Sequence, residues 1–140
     1  MNYIKQILWL LVSGIMFAAP TAFALEIKTM QMKIGDKEYS VVLNDNDTTK
    51  SLQEILPMTI KMSEFNGNEK YYQLRETLPS KPKHTGQIKT GDVMLFGDDC
   101  LVVFYKDFKT AYSYTRIGHI ENAADLEQTL GRGSVTITFE

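Results

Sequence analysis

Residues 91–105 read GDVMLFGDDCLVVFY, and this stretch decides the fold. Two continuous apolar runs, 93–96 and 101–105, flank the turn residues Gly97-Asp98-Asp99. Because apolar residues occupy successive positions, both faces of each strand should be covered, which predicts the best-buried hairpin of the domain. Cys100 lies in the second run beside two aspartates, and negative charge raises a thiol pKa. We therefore expect a buried, unreactive cysteine.

The flanking sequence consists mostly of short strands. Alternating apolar residues predict a hairpin over 30–43, strands at 58–65, 71–74, 112–116 and 135–139, and an Asn66-Gly67-Asn68 turn. Helical spacing predicts two short helices. The first, at 48–56, is preceded by cap residues 44–47 and stopped by Pro57. The second, at 122–131, has Asn122 as its cap and Gly131 as its last residue. Residues 77–91 are predicted to form an exposed loop. About eight strands and two short helices favour a mainly β fold, a closed eight-stranded antiparallel barrel, because closure removes exposed sheet edges.

The composition narrows the classes of function. The chain has 140 residues, 44% of them hydrophobic and 23% charged, with 15 Lys+Arg against 17 Asp+Glu and a net charge of −2. These values exclude a disordered tail and leave no electrostatic drive toward nucleic acid. The single cysteine excludes an internal disulfide and a cysteine-rich zinc site.

Residues 1–24 resemble an export signal. Lys5 is their only charged residue, residues 7–19 are almost wholly apolar, and Ala22 and Ala24 form an A-x-A cleavage pattern. The alternative, an uncleaved membrane anchor, normally needs about 20 apolar residues. We therefore predict a cleavable signal peptide at 1–24, one domain at 25–140, a periplasmic or secreted location and no membrane association after cleavage.

No motif predicts a catalytic residue, a metal site or a cofactor. Asp45-Asn46-Asp47 begins like a calcium loop, but Lys50 and Leu56 stand where Gly and Glu are needed, so a helix cap is the better interpretation. His84 and His119 lack metal-ligand spacing, Ser113 lacks the glycines of a nucleophile elbow, and no phosphate-binding glycine motif occurs.

Three stretches resemble the bacterial cyclophilin-like domain family of small, mostly uncharacterised proteins. They are MSEFNGNEKY at 62–71, GDVMLFG at 91–97 and CLVVFYKDFKTAYSYTRIGHI at 100–120. The similarity extends over roughly residues 30–140. It implies a closed eight-stranded barrel with a helix at each end, in agreement with the strand count. Residues 116–120 (RIGHI), followed by a predicted helix, are also similar to the V-F-G-x-V stretch of true cyclophilins.

The catalytic pattern of true cyclophilins is not matched. The resemblance implies an arginine on the strand leading to F-x-x-Q-G-G-D. The comparable residues 58–68 offer Phe65 as the aromatic, no arginine before it and no Q-G-G after it. Lys61 is the nearest cation, and an ammonium lacks the planar fork of a guanidinium. Tyr114 stands near the position of the cyclophilin histidine.

Aromatic residues supply the remaining candidate site. A barrel of eight strands is filled by side chains, so a ligand must lie on the outer wall or at a rim. Tyrosines with one apolar face and a polar tip suit such a groove, although alternating tyrosines also coat half-buried strands. The predicted ligand-binding residues are Phe65, Asn66, Tyr71, Tyr112, Tyr114 and Arg116.

Three functions remain open. The first is an exported module that binds a peptide or small molecule without catalysis. The second is a divergent peptidyl-prolyl isomerase that uses Arg116 or Arg75 in place of the missing arginine. The third is a purely structural partner domain. The oligomeric state does not follow from the sequence.

Overall fold

The structure of the protein is a computed structural model that describes residues 14–20 and 26–140. Residues 14–20 are exposed and have no regular secondary structure. Most of the predicted leader, including the A-x-A pattern at 22–24, lies outside the described residues. No helix in the described ranges has the length and apolar character needed to cross a membrane.

Eleven strands and two α-helices make up residues 29–139. In chain order they are β1 Thr29–Ile34, β2 Lys37–Leu43, α1 Asp47–Glu54, β3 Met58–Phe65, β4 Glu69–Gln73, β5 Lys83–His84, β6 Gln87–Ile88, β7 Asp92–Phe96, β8 Cys100–Phe104, β9 Phe108–Lys109, β10 Ser113–Ile120, α2 Leu126–Leu130 and β11 Val135–Phe139. A 3-10 turn, Ala123–Asp125, leads into α2.

Eight of these strands close into an antiparallel barrel. Their order is β2-β1-β11-β3-β4-β8-β7-β10, and β10 pairs again with β2. Gly118 allows this closure, because a Cβ at that position would lie 2.3 Å from the carbonyl oxygen of Val42. The mainly β fold and the eight-stranded barrel predicted from the strand count are confirmed.

The barrel interior holds the main core, and the two helices lie at opposite ends of it. Leu52 of α1 and Leu126 and Leu130 of α2 are buried in the same apolar cluster as the inward side chains of the strands. Helix α1 follows the C-terminal end of β2, whereas Asp125, just before α2, accepts hydrogen bonds from Lys37 and Tyr39 near the N-terminal end of β2.

Local interactions account for several predicted elements. Asn66 and Gly67 both have positive φ, 55° and 69°, in the three-residue connection between β3 and β4, as an Asn-Gly turn requires. The Asn46 side chain accepts a hydrogen bond from the backbone N–H of Thr49 at 2.9 Å and caps α1. The interpretation of this segment as a helix cap is confirmed.

Three local predictions need correction. Residues 77–91 are not a fully exposed loop, since Leu78 and Ile88 are buried and β5 and β6 form within the segment. Asn122 makes no side-chain cap hydrogen bond and adopts a left-handed conformation before the 3-10 turn. Cys100 is half-buried rather than buried, because it faces the outer side of the barrel wall.

Candidate functional site

The outer surface of the barrel carries a second apolar cluster. Its buried members are Ile88, Met94, Val102, Phe104 and Tyr114, with Cys100 and Phe108 packed against them. Strands β4, β8, β7 and β10 are neighbours in the sheet and supply most of this surface. The small β6–β9 sheet contributes Ile88 and Phe108, so it covers one part of the outer wall and leaves another part open.

The open part forms a cleft of about 300 Å³. Phe65 and Tyr71 line one side, and Phe96 and Tyr112 line another. Cys100, Val102 and Tyr114 also line the cleft, and of these the last two belong to the buried outer cluster. Strand register brings these residues together, since Tyr71 lies opposite Val102 and Cys100 lies opposite Phe96.

The exposed aromatic rings of the barrel gather at this cleft. Phe65, Tyr71, Phe96 and Tyr112 are 57%, 37%, 45% and 65% exposed. Within the described ranges, the other exposed large apolar side chains are Ile15, Met16, Phe17 and Ile27, which precede the barrel. A soluble domain usually scatters such residues, so a concave cluster of them marks a binding surface.

The aromatic rings pack in pairs around the cleft. The centroids of Phe65 and Tyr71 are 6.2 Å apart at an interplanar angle of 87°. Those of Phe96 and Tyr112 are 5.8 Å apart at 76°. Tyr114 lies beneath, in edge-to-face contact with Phe104 at 5.5 Å. Edge-to-face packing holds each exposed ring against a neighbour, which makes the cleft preformed.

One carboxyl group lies among these rings. Burial, and secondarily repulsion from Glu64, raises the pKa of Glu69 to about 7. Within residues 26–140 no hydrogen bond or ion pair joins the Glu69 carboxylate to another side chain. Burial raises the pKa of the Cys100 thiol, and the charges of Asp99 and Glu69 add to that rise. A titratable group with a strongly shifted pKa in a cleft is a typical feature of functional sites.

Comparison with known proteins places the domain in a family. Residues 32–140 match the cyclophilin-like family. The chain belongs to this family. The solution structure of a hypothetical protein from Archaeoglobus fulgidus is similar, with a TM-score of 0.56 and 17% sequence identity over 81% of this chain and 94% of that one. At that identity the likeness concerns the fold alone. No curated protein matches the chain.

In this cyclophilin-like protein, four of the six predicted ligand-binding residues meet in the cleft. They are Phe65, Tyr71, Tyr112 and Tyr114. Tyr114 is buried and supports the other rings rather than exposing its own. Asn66 lies in the adjacent turn and does not line the cleft.

Arg116 lies on the outer face of β10 but lines a different groove. That groove, of about 650 Å³, runs between the start of α1 and residues 79–85. It is more polar, with Asp45 and Asp47 on one side and Lys81 and Lys83 on the other. The Asn46 side chain donates a hydrogen bond to the Arg116 carbonyl at 2.8 Å, so this part of the groove is occupied by structural contacts. Arg75 lines a third depression, beside Tyr72.

The sequence-based prediction of the site omitted Glu69, Phe96, Cys100 and Val102. Phe96 had a usable signal, because an apolar residue directly before a Gly-Asp turn sits at the exposed end of a strand. Glu69 had none, since a glutamate after a turn is usually solvated. Its position in the cleft follows from its pairing with Phe104, a residue of the outer cluster, across the β4–β8 ladder.

Proposed function

We propose that this cyclophilin-like protein works outside the cytoplasm as a binding module and that its outer aromatic cleft holds the ligand. The observation that carries the proposal is the convergence of Phe65, Tyr71, Phe96 and Tyr112, all exposed, on one concave apolar surface. Rings of this kind contribute a large contact area while losing little conformational entropy.

The size of the cleft limits the ligand. A volume of about 300 Å³ lies at the lower end of the range for small-molecule sites. It accommodates a compact molecule or one to two side chains of a peptide, but not an extended segment. The proposed ligand is therefore a small molecule, or a peptide recognised through a single apolar side chain.

Binding without catalysis agrees best with the position of the arginines. Isomerisation of an X-Pro bond, with a barrier of about 18–20 kcal/mol, requires a donor aimed at the twisted amide inside an apolar pocket. Among the described residues that line the cleft there is no arginine or lysine. Arg116 and Arg75, the two candidates for an isomerase, line other depressions.

A neutral fluorescent probe, N-phenyl-1-naphthylamine, tests the location of the site. Tyr71→Ala and Tyr112→Ala should each weaken probe binding by about 30-fold, because truncating an aromatic anchor typically costs about 2 kcal/mol. Arg116→Ala is the matched control, since Arg116 is exposed on the same outer wall but outside the cleft. Equal probe affinity in all three variants, with native circular dichroism, would refute the proposed site.

The proposed location rests on residues 1–24 and has its own test. When the full chain is expressed in a bacterium with a general secretion pathway, the protein recovered outside the cytoplasm should begin at or near Leu25. Intact-mass measurement identifies the first residue. Recovery of the full-length mass from the membrane fraction would support the anchor instead.

A further inference from the structure

The charge of the cleft differs from that of an ordinary apolar pocket. Among the described residues that line the cleft, Glu69 is the only acidic one, and none is basic. The remaining lining groups are aromatic rings, a thiol and a valine. An anionic ligand would meet repulsion from Glu69, and a neutral ligand would leave its carboxylate without a partner, at a cost in desolvation.

The rings favour positive charge as well. The face of an aromatic ring is the negative side of its quadrupole and attracts cations within about 6 Å of the ring centroid. The rings of each exposed pair are nearly perpendicular, at 87° and 76°. The rings that line the cleft therefore lie in several planes rather than one.

We propose that the cleft binds a small organic cation, an ammonium with apolar substituents, and that the Glu69 carboxylate is its counter-ion. This inference rests on the proposed function and adds the chemical class of the ligand. The cleft volume of about 300 Å³ favours a free small molecule of the size of choline. The net charge of −2 for the whole chain attracts such a ligand at long range.

Cation binding should be coupled to the ionisation of Glu69. In the empty cleft the pKa of this carboxyl is about 7, owing to burial and to Glu64 on β3. Cys100 on β8 and Tyr114 on β10 also sense the charge of Glu69, and burial raises the pKa of both. Glu69 is thus the cleft group that titrates between pH 6 and 8. Since only its ionised form pairs with a cation, affinity should rise about tenfold between pH 6 and pH 8.

Two matched probes separate charge from shape. Choline and 3,3-dimethylbutan-1-ol have the same shape, but only choline carries a positive charge. Each is titrated into the wild-type protein at pH 6 and pH 8, and binding is followed by the methyl resonances of Val102, which lines the cleft. Glu69→Gln removes the counter-ion, and Glu54→Gln, an exposed position on α1, is the control.

We expect choline to bind at least about tenfold more tightly than the alcohol at pH 8. Glu69→Gln should remove both this preference and the pH dependence, whereas Glu54→Gln should change neither. If the alcohol binds as tightly as choline, the cationic ligand is wrong and the proposed binding function stands. If neither probe shifts the Val102 resonances while N-phenyl-1-naphthylamine still binds in the cleft, the cationic ligand is wrong and the proposed binding function stands.

Discussion

Lys70 carries a charged side chain that is buried in the barrel. Its side chain is fully buried, and its ammonium donates hydrogen bonds to the carbonyl oxygens of Gly131 at 2.9 Å and Gly133 at 2.6 Å. The Glu64 carboxylate lies 2.7 Å away, and the Tyr105 ring centroid lies 5.4 Å away. Tyr105 also donates its hydroxyl to Glu64. These contacts hold the loop after α2 against β4.

Substitution of Glu64 should lower the free energy of unfolding more than substitution of Lys70. Glu64→Gln leaves a buried ammonium without its counter-ion, and breaking such a pair costs about 3–5 kcal/mol. We expect about 3 kcal/mol, since two carbonyl oxygens still bind the ammonium. Lys70→Met replaces the charge with an apolar side chain, and the Glu64 carboxylate that remains is 26% exposed. Its solvation should limit the cost to about 1 kcal/mol.

The double variant provides the sharpest comparison. Because Lys70→Met removes the buried charge, Glu64→Gln/Lys70→Met should be more stable than Glu64→Gln alone, although it carries one more substitution. Urea unfolding measures the difference. A loss of 3 kcal/mol lowers the midpoint by about 2 M for an m-value near 1.5 kcal/mol/M. Lys61→Met, an exposed lysine on β3, is the control and should change stability by less than about 0.5 kcal/mol.

The pH dependence of the free energy of unfolding gives a second test of the Lys70–Glu64 pair. Burial acts to raise the pKa of Glu64, but the hydrogen bonds from Lys70 and Tyr105 outweigh it, so the pKa lies below its usual value of 4.5. A carboxyl with a lowered native pKa contributes stability above its unfolded pKa and loses it as the pH falls through the native value. The difference between wild type and Glu64→Gln should therefore shrink below about pH 4.5. A Glu64→Gln variant within 1 kcal/mol of wild type at pH 7 would show that Lys70 is not desolvated.

Three further predictions concern the cleft and catalysis. Glu69→Gln should raise the free energy of unfolding at pH 8 by about 1 kcal/mol. The native pKa of Glu69 is raised to about 7, so the wild-type protein loses stability as the pH rises from 4.5 to 7, and partial screening by solvent limits that loss. Equal unfolding midpoints of the wild-type protein at pH 5 and pH 8 would contradict this prediction. Cys100 should react with thiol reagents at least about tenfold more slowly in the native protein than in the unfolded one, since burial raises its pKa; comparable rates would disprove its protection. A protease-coupled proline-peptide assay should find prolyl isomerisation absent or very weak, and robust turnover lost in Arg116→Ala or Arg75→Ala would establish the isomerase alternative.

The elements that were predicted correctly depend on neighbours in sequence. The hairpin β7–β8 follows from two apolar runs around Gly97, and both of its faces are buried, with Val93 and Leu101 inside and Met94 and Val102 outside. In residues 77–91, where the predicted exposed loop was wrong, a distant contact was responsible. Ile88 stands alone among polar residues, without periodicity, and is buried because it packs on the outer wall.

The candidate site also combines features that depend on neighbours in sequence with features that depend on distant contacts. Aromatic residues of β3, β4 and β10, and Tyr112 just before β10, were candidates from the sequence, and the structure brings four of the predicted residues together in the cleft. Arg116 alternates with Tyr112 and Tyr114 in the sequence and lies on the outer wall, but it lines the groove between α1 and residues 79–85. Arg116 pairs with Met94 across the β10–β7 ladder. Alternation along one strand could not reveal the groove that Arg116 lines, since α1 and residues 79–85 are distant from it in sequence.

Hydrophobic periodicity, turn residues and helix caps were enough to identify a barrel-forming set of strands, because each depends on interactions within a few residues. They did not reveal which strands become neighbours across the wall. The order β4-β8-β7-β10 brings Glu69 and Tyr71 of one hairpin into the same cleft as Cys100 and Phe96 of another. That order is set by the burial of whole faces and by the closure at Gly118. The cleft and the raised pKa of its carboxyl therefore arise only from tertiary packing, which determines how far each group is removed from water.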